Sequence, residues 1–331
     1  MHRADKPDKS KRKNALNLVS SCKKQQFLAI NLSILSGSVE PFFTAVLPPP
    51  SCRGLGFESG LGYPVEEHAA KGIGMEGVLV TGGGRRLGAI IARHLGRTGK
   101  HVFVHYHHSA QGAQEVAAEI IAQGGKATPV QADLADSAAV DRLYQQCEAI
   151  CPLEVLVNSA SRFEYDTATT VTPEALDAHM RVNLYAPLML TRSLHAALTA
   201  RSARGVAINI VDNKVFGLNP DYFSYSLSKV ALQGMVQMQA MAMAPTLRVA
   251  GIAPGITLIS GLQTQAEFER SHRNNPMGKG CTPEDILNAV DFILSSPAYH
   301  GQTMVIDGGQ VLQRRPRDVV FLERPEAAKG S

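Results

Sequence analysis

Gly77-Val78-Leu79-Val80-Thr81-Gly82-Gly83-Gly84-Arg85-Arg86-Leu87-Gly88 is the stretch on which the rest of the chain is read. Val78, Leu79 and Val80 form a short apolar run suited to a parallel strand buried on both faces. Three glycines follow, and from Leu87 to Leu95 the spacing of Ala89, Ile90, Ile91, Ala92 and Leu95 is helical. Strand, glycine-rich turn and helix N-terminus together suit a dinucleotide. Glycine lets the backbone approach a pyrophosphate, and the unpaired N–H groups and helix dipole favour its charge. An ordinary glycine-rich turn has the same local pattern, so the sequence on either side must decide.

Downstream, strands and helices alternate with short breaks, as in a doubly wound α/β domain. Strands are predicted at residues 101–106, 127–131, 154–158, 205–211, 248–253 and 303–306. Helices are predicted over residues 111–123, 138–150, 223–243 and up to 294. Thr172-Pro173-Glu174 and Thr282-Pro283-Glu284-Asp285 each open a helix with a hydroxyl cap and a proline in the first turn. There is no internal repeat and no dividing linker, so residues 75–313 read as one domain, followed by a tail over 314–331. The polar, glycine-containing stretch from Ile256 to Cys281 reads as a mobile lid over the substrate.

Upstream, residues 1–74 differ in character. They carry a basic start, an apolar patch from Phe27 to Leu35 and Pro48-Pro49-Pro50. Asn31 and Ser33 interrupt the patch, which is too short for a membrane span and a poor secretory signal. The expectation is a disordered leader, with Met75 as an alternative start. The net charge of +4 also resides there, because residues 1–24 hold eight Lys or Arg against two Asp. The remaining 25 basic and 27 acidic residues give −2, which implies no basic face for nucleic acid. Five scattered cysteines, with Cys147 and Cys151 four apart, suggest reduced thiols and a cytoplasmic location rather than a disulfide framework or zinc site.

The second informative stretch is Tyr225-Ser226-Leu227-Ser228-Lys229. Residues four apart share a helix face, so the phenol and ammonium point the same way. A neighbouring cation favours the phenolate and brings a group of ordinary pKa near 10 closer to acid–base use.

Thr81-Gly82 with Gly88, Asn158-Ser159-Ala160, Asn183, the Tyr225/Lys229 pair and Pro254-Gly255 resemble the short-chain dehydrogenase/reductase family, in its order and at its spacings. The resemblance spans about residues 77–310. It implies a single Rossmann-type domain with a seven-stranded parallel sheet, helices on both faces, and a nicotinamide cofactor. It further implies that Tyr225 donates a proton, that Lys229 lowers its pKa and binds the nicotinamide ribose, and that Asn183 supports a proton relay. A homotetramer or homodimer built on the long helices is implied too; Gly234, Met235, Met238 and Ala240 read either as a packing surface for it or as ordinary core.

Three departures narrow the resemblance to the pteridine reductases and dihydromonapterin reductases of that family. Arg86 stands where the family's middle glycine is usual, and Asp212 replaces the usual serine thirteen residues before Tyr225. Ser161 and Phe163 place a hydroxyl and an aromatic ring just past the fourth strand. A pterin presents ring nitrogens and an amino group, and a carboxylate at 212 can accept from them and pass a proton through Tyr225. Phe163 can stack a flat heterocycle, and the planar fork of Arg86 can serve both a cofactor phosphate and the pterin. The substrate set is therefore Arg86, Ser161, Phe163, Asp212 and Tyr225.

His105-Tyr106-His107-His108-Ser109 ends the second strand without the acid that would hold the ribose diol of NAD. Imidazoles and a hydroxyl suit a 2′-phosphate, so NADPH is the expected cofactor. A metal site at His105 and His107 is the rival reading, and no second ligand set supports it. Asp133 resembles the family's adenine-contacting acid. Gly82, Gly84, Arg85, Arg86, Leu87, Gly88, His107, His108, Ser109, Leu134, Asn158, Ala160, Lys229, Pro254 and Gly255 complete the cofactor set. The expected activity is NADPH-dependent reduction of a small 7,8-dihydropterin, with dihydrofolate as a further substrate and with no metal, nucleic acid or membrane partner. A ketone reductase of the same fold and a non-catalytic NADP(H)-binding sensor are the alternatives.

Overall fold

Alternation along β1 (Gly77–Thr81) explains how the sheet is sandwiched. Successive side chains of a strand point to opposite faces, and all three apolar residues of β1 are fully buried. Val78 and Val80 pack with Ile91, Leu95, Val116, Ile286 and Val290 on one face of the sheet. Leu79 packs with Leu143, Leu156, Leu190, Leu194 and Val236 on the other. Two separate apolar layers of this kind require helices on both sides.

The computed structural model describes residues 77–259 and 263–322. The leader expected over residues 1–74 lies outside the described residues. β1 is followed by α1 (Arg86–Gly96), β2 (His101–Tyr106), α2 (Ala110–Ala122), β3 (Lys126–Gln131), α3 (Ser137–Ile150) and β4 (Leu153–Asn158). Then come α4 (Pro173–Met180), α5 (Ala186–Ala200), β5 (Gly205–Ile210), α6 (Phe223–Met243) and β6 (Leu247–Pro254). α7 (Gln265–Arg273), α8 (Pro283–Ser295), β7 (Thr303–Ile306) and the short α9 (Val319–Leu322) complete the chain. The strands form one parallel seven-stranded sheet in the order β3-β2-β1-β4-β5-β6-β7. The expected doubly wound architecture is therefore present.

Local chemistry sets several boundaries. The Thr172 hydroxyl accepts from the Ala175 N–H and begins α4, and Thr282 with Asp285 forms a reciprocal capping box at α8. The helix expected at Thr172 opens there as α4, and a π-helical turn, Arg181–Tyr185, joins it to α5; such turns recur at functional sites. The lid expected at Ile256 to Cys281 contains an ordered helix, α7, with its own capping box between Thr264 and Glu267. The tail expected from residue 314 is in part folded, since α9 lies within it and the Asp318 carboxylate bonds Lys214. No helix among the described residues is long and apolar enough to cross a membrane.

Candidate active site

Strand order reverses between β1 and β4, so the crevice beyond their carboxyl ends is the place where an open α/β sheet receives a ligand. Thr81 ties the two strand ends together, its Oγ1 accepting from the N–H groups of Ser159 at 3.0 Å and Ala160 at 3.1 Å. Gly82 then turns with φ +65°, and a Cβ there would stand 2.9 Å from the Ala160 Cα. At Gly88 a Cβ would meet the Gly82 carbonyl oxygen at 2.3 Å. Only glycine permits this close turn over the start of α1. The first turn of α1 holds no acidic residue, so a pyrophosphate would meet no carboxylate there.

Arg86 begins α1 with φ 51°. The position where the family usually carries glycine thus keeps a left-handed backbone, which is costly for a bulky residue and tends to occur at functional sites. Its Nη1 donates to the Ile259 carbonyl at 2.5 Å and joins the glycine turn to the segment after β6.

His105 lies beneath the turn as a buried support with both ring nitrogens engaged. Its Nδ1 accepts from the Gly82 N–H at 3.0 Å, and its Nε2 lies 3.2 Å from the Ala132 carbonyl, which only a protonated Nε2 can satisfy. Burial pushes this imidazole down to about 4, which holds it neutral. His107 and His108 continue past the strand with ring centroids 3.5 Å apart. His107 Nε2 lies 3.9 Å from the Asp133 carboxylate, and these residues border the cleft with Arg85, Ser109 and Leu134.

On the far side, α6 presents Tyr225 and Lys229, both almost completely buried. The Tyr225 hydroxyl donates to Asp212 Oδ2 at 2.5 Å. Asp212 follows β5 and caps the next turn, its Oδ1 accepting from the Lys214 N–H at 2.8 Å. Lys229 Nζ donates to the Ile210 carbonyl at 2.8 Å and lies 5.7 Å from the Tyr225 ring centroid. Burial, and then the negative charge of Asp212, raise the phenol well above its ordinary pKa. The resemblance implied a lowered phenol. In the structure, desolvation and the adjacent carboxylate both act to raise it. Burial also raises Asp212, against the hydrogen bonds from Tyr225 and Lys214 and the charge of Lys229. Lys229 itself is lowered by burial to about 8.

Phe163 and Tyr222 form an aromatic wall. Phe163 stacks on Tyr222 at 4.3 Å and meets Tyr225 edge-on at 4.6 Å, with 46% of its surface still exposed. Tyr222 has φ 55° and was not anticipated. It stands just outside α6, at the N-cap, where no helical spacing marks it. Lys214 and the segment from Arg315 to Val320 were also missed, although they border the cleft. An isolated lysine two residues after Asp212 gave only a faint hint. Gly82, Arg86, Leu87, Gly88, Ala160, Ser161, Phe163, Asp212, Tyr225, Lys229, Pro254 and Gly255 all line the same cleft, of about 1060 Å³.

Three expected site residues stand behind that wall. A Cβ at Gly84 would meet the Ala113 N and Ser109 O, so this glycine serves the packing of α2. Asn158 is buried and donates to Asn209 Oδ1 at 2.9 Å. Asn183 sits in the π-helical turn, where its Oδ1 accepts from the Arg162 N–H at 2.7 Å and its Nδ2 donates to the Arg162 carbonyl and Ser228 Oγ. Its amide is fully engaged in holding the strap that carries Phe163, a positioning role.

The family described as short chain dehydrogenase matches residues 76–270. The crystal structure of FolM alternative dihydrofolate reductase 1 from Brucella canis complexed with NADP superposes with a TM-score of 0.70 at 36% identity, covering 74% of this chain and 98% of that one. A dihydromonapterin reductase from Enterobacter sp. (strain 638) is 28% identical, over 71% of this chain and 96% of its own length. A 3-oxoacyl-[acyl-carrier-protein] reductase from Synechocystis sp. (strain ATCC 27184 / PCC 6803 / Kazusa) is 30% identical over the same shares of the two chains.

Proposed function

The chain belongs to the short-chain dehydrogenase family, and from that premise we propose that it is an NADPH-dependent reductase of 7,8-dihydropterins. The observation that carries this reading is the Asp212 carboxylate, 2.5 Å from the Tyr225 hydroxyl, at the position where ketone reductases of the family usually hold serine. Relatives named for dihydromonapterin and dihydrofolate reduction support the substrate class, and neighbours solved with NADP support the cofactor. Bare dihydropterins of the dihydromonapterin or dihydrobiopterin kind are the primary substrates, with dihydrofolate as a further one.

The residues present fit the cofactor. Gly82 and Gly88 leave a cradle that a Cβ would fill, and the end of β2 offers His107, His108 and Ser109 instead of an acid. Arg85, Arg86, Leu87, Ala160, Pro254 and Gly255 would hold the dinucleotide along the crevice, Asp133 and Leu134 would meet its adenine end, and Lys229 its nicotinamide ribose. Bound NADPH supplies a hydride to the carbon of the pterin C=N bond.

The protein must then supply one proton to the adjacent ring nitrogen. Tyr225 Oη donates it, and its high pKa makes the phenol neutral and loaded at neutral pH. Asp212 Oδ2, which accepts from that hydroxyl, is the group through which the phenol is reloaded. Phe163 and Tyr222 present flat surface to a bicyclic ring, and Arg86 fixes its polar edge. A cytoplasmic location belongs to the same proposal.

Reduction of a 3-oxoacyl ketone is the second reading, favoured by the similarity to the Synechocystis enzyme. NADPH oxidation measured with 7,8-dihydropterins and with 3-oxoacyl thioesters separates the two. Asp212→Ser is expected to reduce pterin turnover by roughly tenfold or more beyond its effect on a ketone. Pterin turnover undiminished in that variant removes the main support for the pterin reading.

A further inference from the structure

Lys214 is an ammonium with only 8% of its surface exposed, beside a proton relay to which no role in the reaction ties it. A lysine so buried needs a partner. The partner comes from the far end of the chain: Asp318 Oδ2 lies 3.0 Å from Lys214 Nζ. The same residue reaches the site in two other ways. Its backbone N–H donates to Asp212 Oδ1 at 2.8 Å, and its ammonium stands 5.2 Å from the Tyr222 ring centroid.

The segment carrying Asp318 is itself fastened. The Asp318 N–H donates to Asp221 Oδ2 at 2.7 Å, and Arg317 Nε lies 2.9 Å from both oxygens of the buried Asp221. Asp221 directly precedes Tyr222, whose left-handed backbone sets the ring that stacks on Phe163. Phe321 adds ring contacts to Tyr222 at 6.1 Å and Tyr165 at 5.1 Å. Through Arg317, Asp318 and Phe321 the segment is thus tied to the loop between Asp212 and Tyr222, and through Phe321 also to Tyr165.

We propose that Lys214, anchored by Asp318, is a positioning and charge-setting residue for the Asp212–Tyr225 pair, so that the C-terminal segment is a working part of the site. The inference rests on the proton role assigned to Asp212 above and extends it to the group that holds Asp212 in place. Charges facing Asp212 come from Lys229 on α6 and from Lys214 on its own loop, with the Tyr225 hydroxyl between. Those facing Lys214 are Asp212, Asp318 and Asp221, the last shared with Arg317, and Asp318 also bears on Tyr225. Removing the ammonium takes positive charge away from the relay and raises the pH at which Asp212 gives up its proton. Removing the Asp318 charge leaves Lys214 uncompensated and lowers that pH.

Opposite signs separate this role from a passive tether. The Asp212 carboxyl carbon, labelled with 13C and assigned by its loss in Asp212→Asn, is titrated by NMR in the full chain. Lys214→Met is expected to raise the midpoint and Asp318→Asn to lower it, while Lys214→Arg stays near the wild type. Lys214→Met/Asp318→Leu supplies an uncharged pair should the single variants fold poorly, and it too is expected to raise the midpoint. With whichever substrate the wild type turns over, kcat in Lys214→Met is expected to fall by roughly tenfold to a hundredfold, with the KM for NADPH within about twofold and recovery in Lys214→Arg. Midpoints that do not move, or that move in one direction for both charges, overturn the proposal. The NMR readout needs no substrate, so a wild type inactive on dihydropterins defeats the pterin reading without deciding this one.

Discussion

The Tyr225 hydroxyl carries two demands, since it must be protonated to donate and correctly aimed to be useful. Burial and Asp212 satisfy the first, and the 2.5 Å hydrogen bond satisfies the second. Tyr225→Phe is therefore expected to lower kcat by roughly a hundredfold to ten-thousandfold, while NADPH affinity stays within a few-fold. Fluorescence titration of NADPH beside turnover checks the split, and equal loss of both contradicts a role in proton transfer. Lys229 adds a pH dependence. Its pKa is lowered to about 8, so its charge is present below that pH and is lost as pH rises through it. The kcat/KM profile is expected to fall above about pH 8. The stability effect has the opposite direction: the unfolded lysine, near 10.5, holds its proton longer, so the cost of burying the charge disappears between pH 8 and 10.5. Lys229→Met is expected to be inactive, and its melting temperature relative to wild type should fall across that window.

At the scale of elements, β2 and the glycine turn behave as one unit because His105 joins them. The imidazole can accept from the Gly82 N–H only while Nδ1 is unprotonated. Its folded pKa of about 4 lies below the ordinary 6.5, so the unfolded chain binds the proton first as pH falls. Stability from this group is full above pH 6.5 and declines between pH 6.5 and 4, with a ceiling of about 3 kcal/mol. His105→Asn, whose amide oxygen can take the place of Nδ1, is expected to flatten the melting-temperature profile in that window. A profile as steep as the wild type's would assign the acid lability to other groups. Most of this level was legible in advance. The strand at residues 303–306 and the helix at 223–243 have the bounds that apolar spacing gave them. α7 was missed because its face is mostly polar and offers no apolar period, although its Thr264–Glu267 capping box stood in the sequence.

At the scale of the whole molecule, α6 bears an apolar stripe that its own fold leaves uncovered. Leu227, Val230, Met238 and Met241 are spaced to share one helix face, and the two methionines are 71% and 86% exposed. Of the residues read as packing surface or core, Met235 and Ala240 belong to the core. We propose that the stripe, with Tyr185 and Leu188 near it in exposure and composition, covers the same face of a second copy. Met238→Glu/Met241→Glu is expected to sediment as a smaller species than the wild type. Identical sedimentation would show that another surface holds any assembly. The sequence by itself determined the strand order's ingredients, the glycine turn and the Tyr225/Lys229 pair, because period, capping and helical spacing act over a few residues. Tertiary structure decided the direction of the Tyr225 shift, the withdrawal of Asn183 and Asn158 from the cleft, and the entry of Asp318. Desolvation depends on everything packed around a group, and a contact spanning 104 residues leaves no local mark in the chain that makes it.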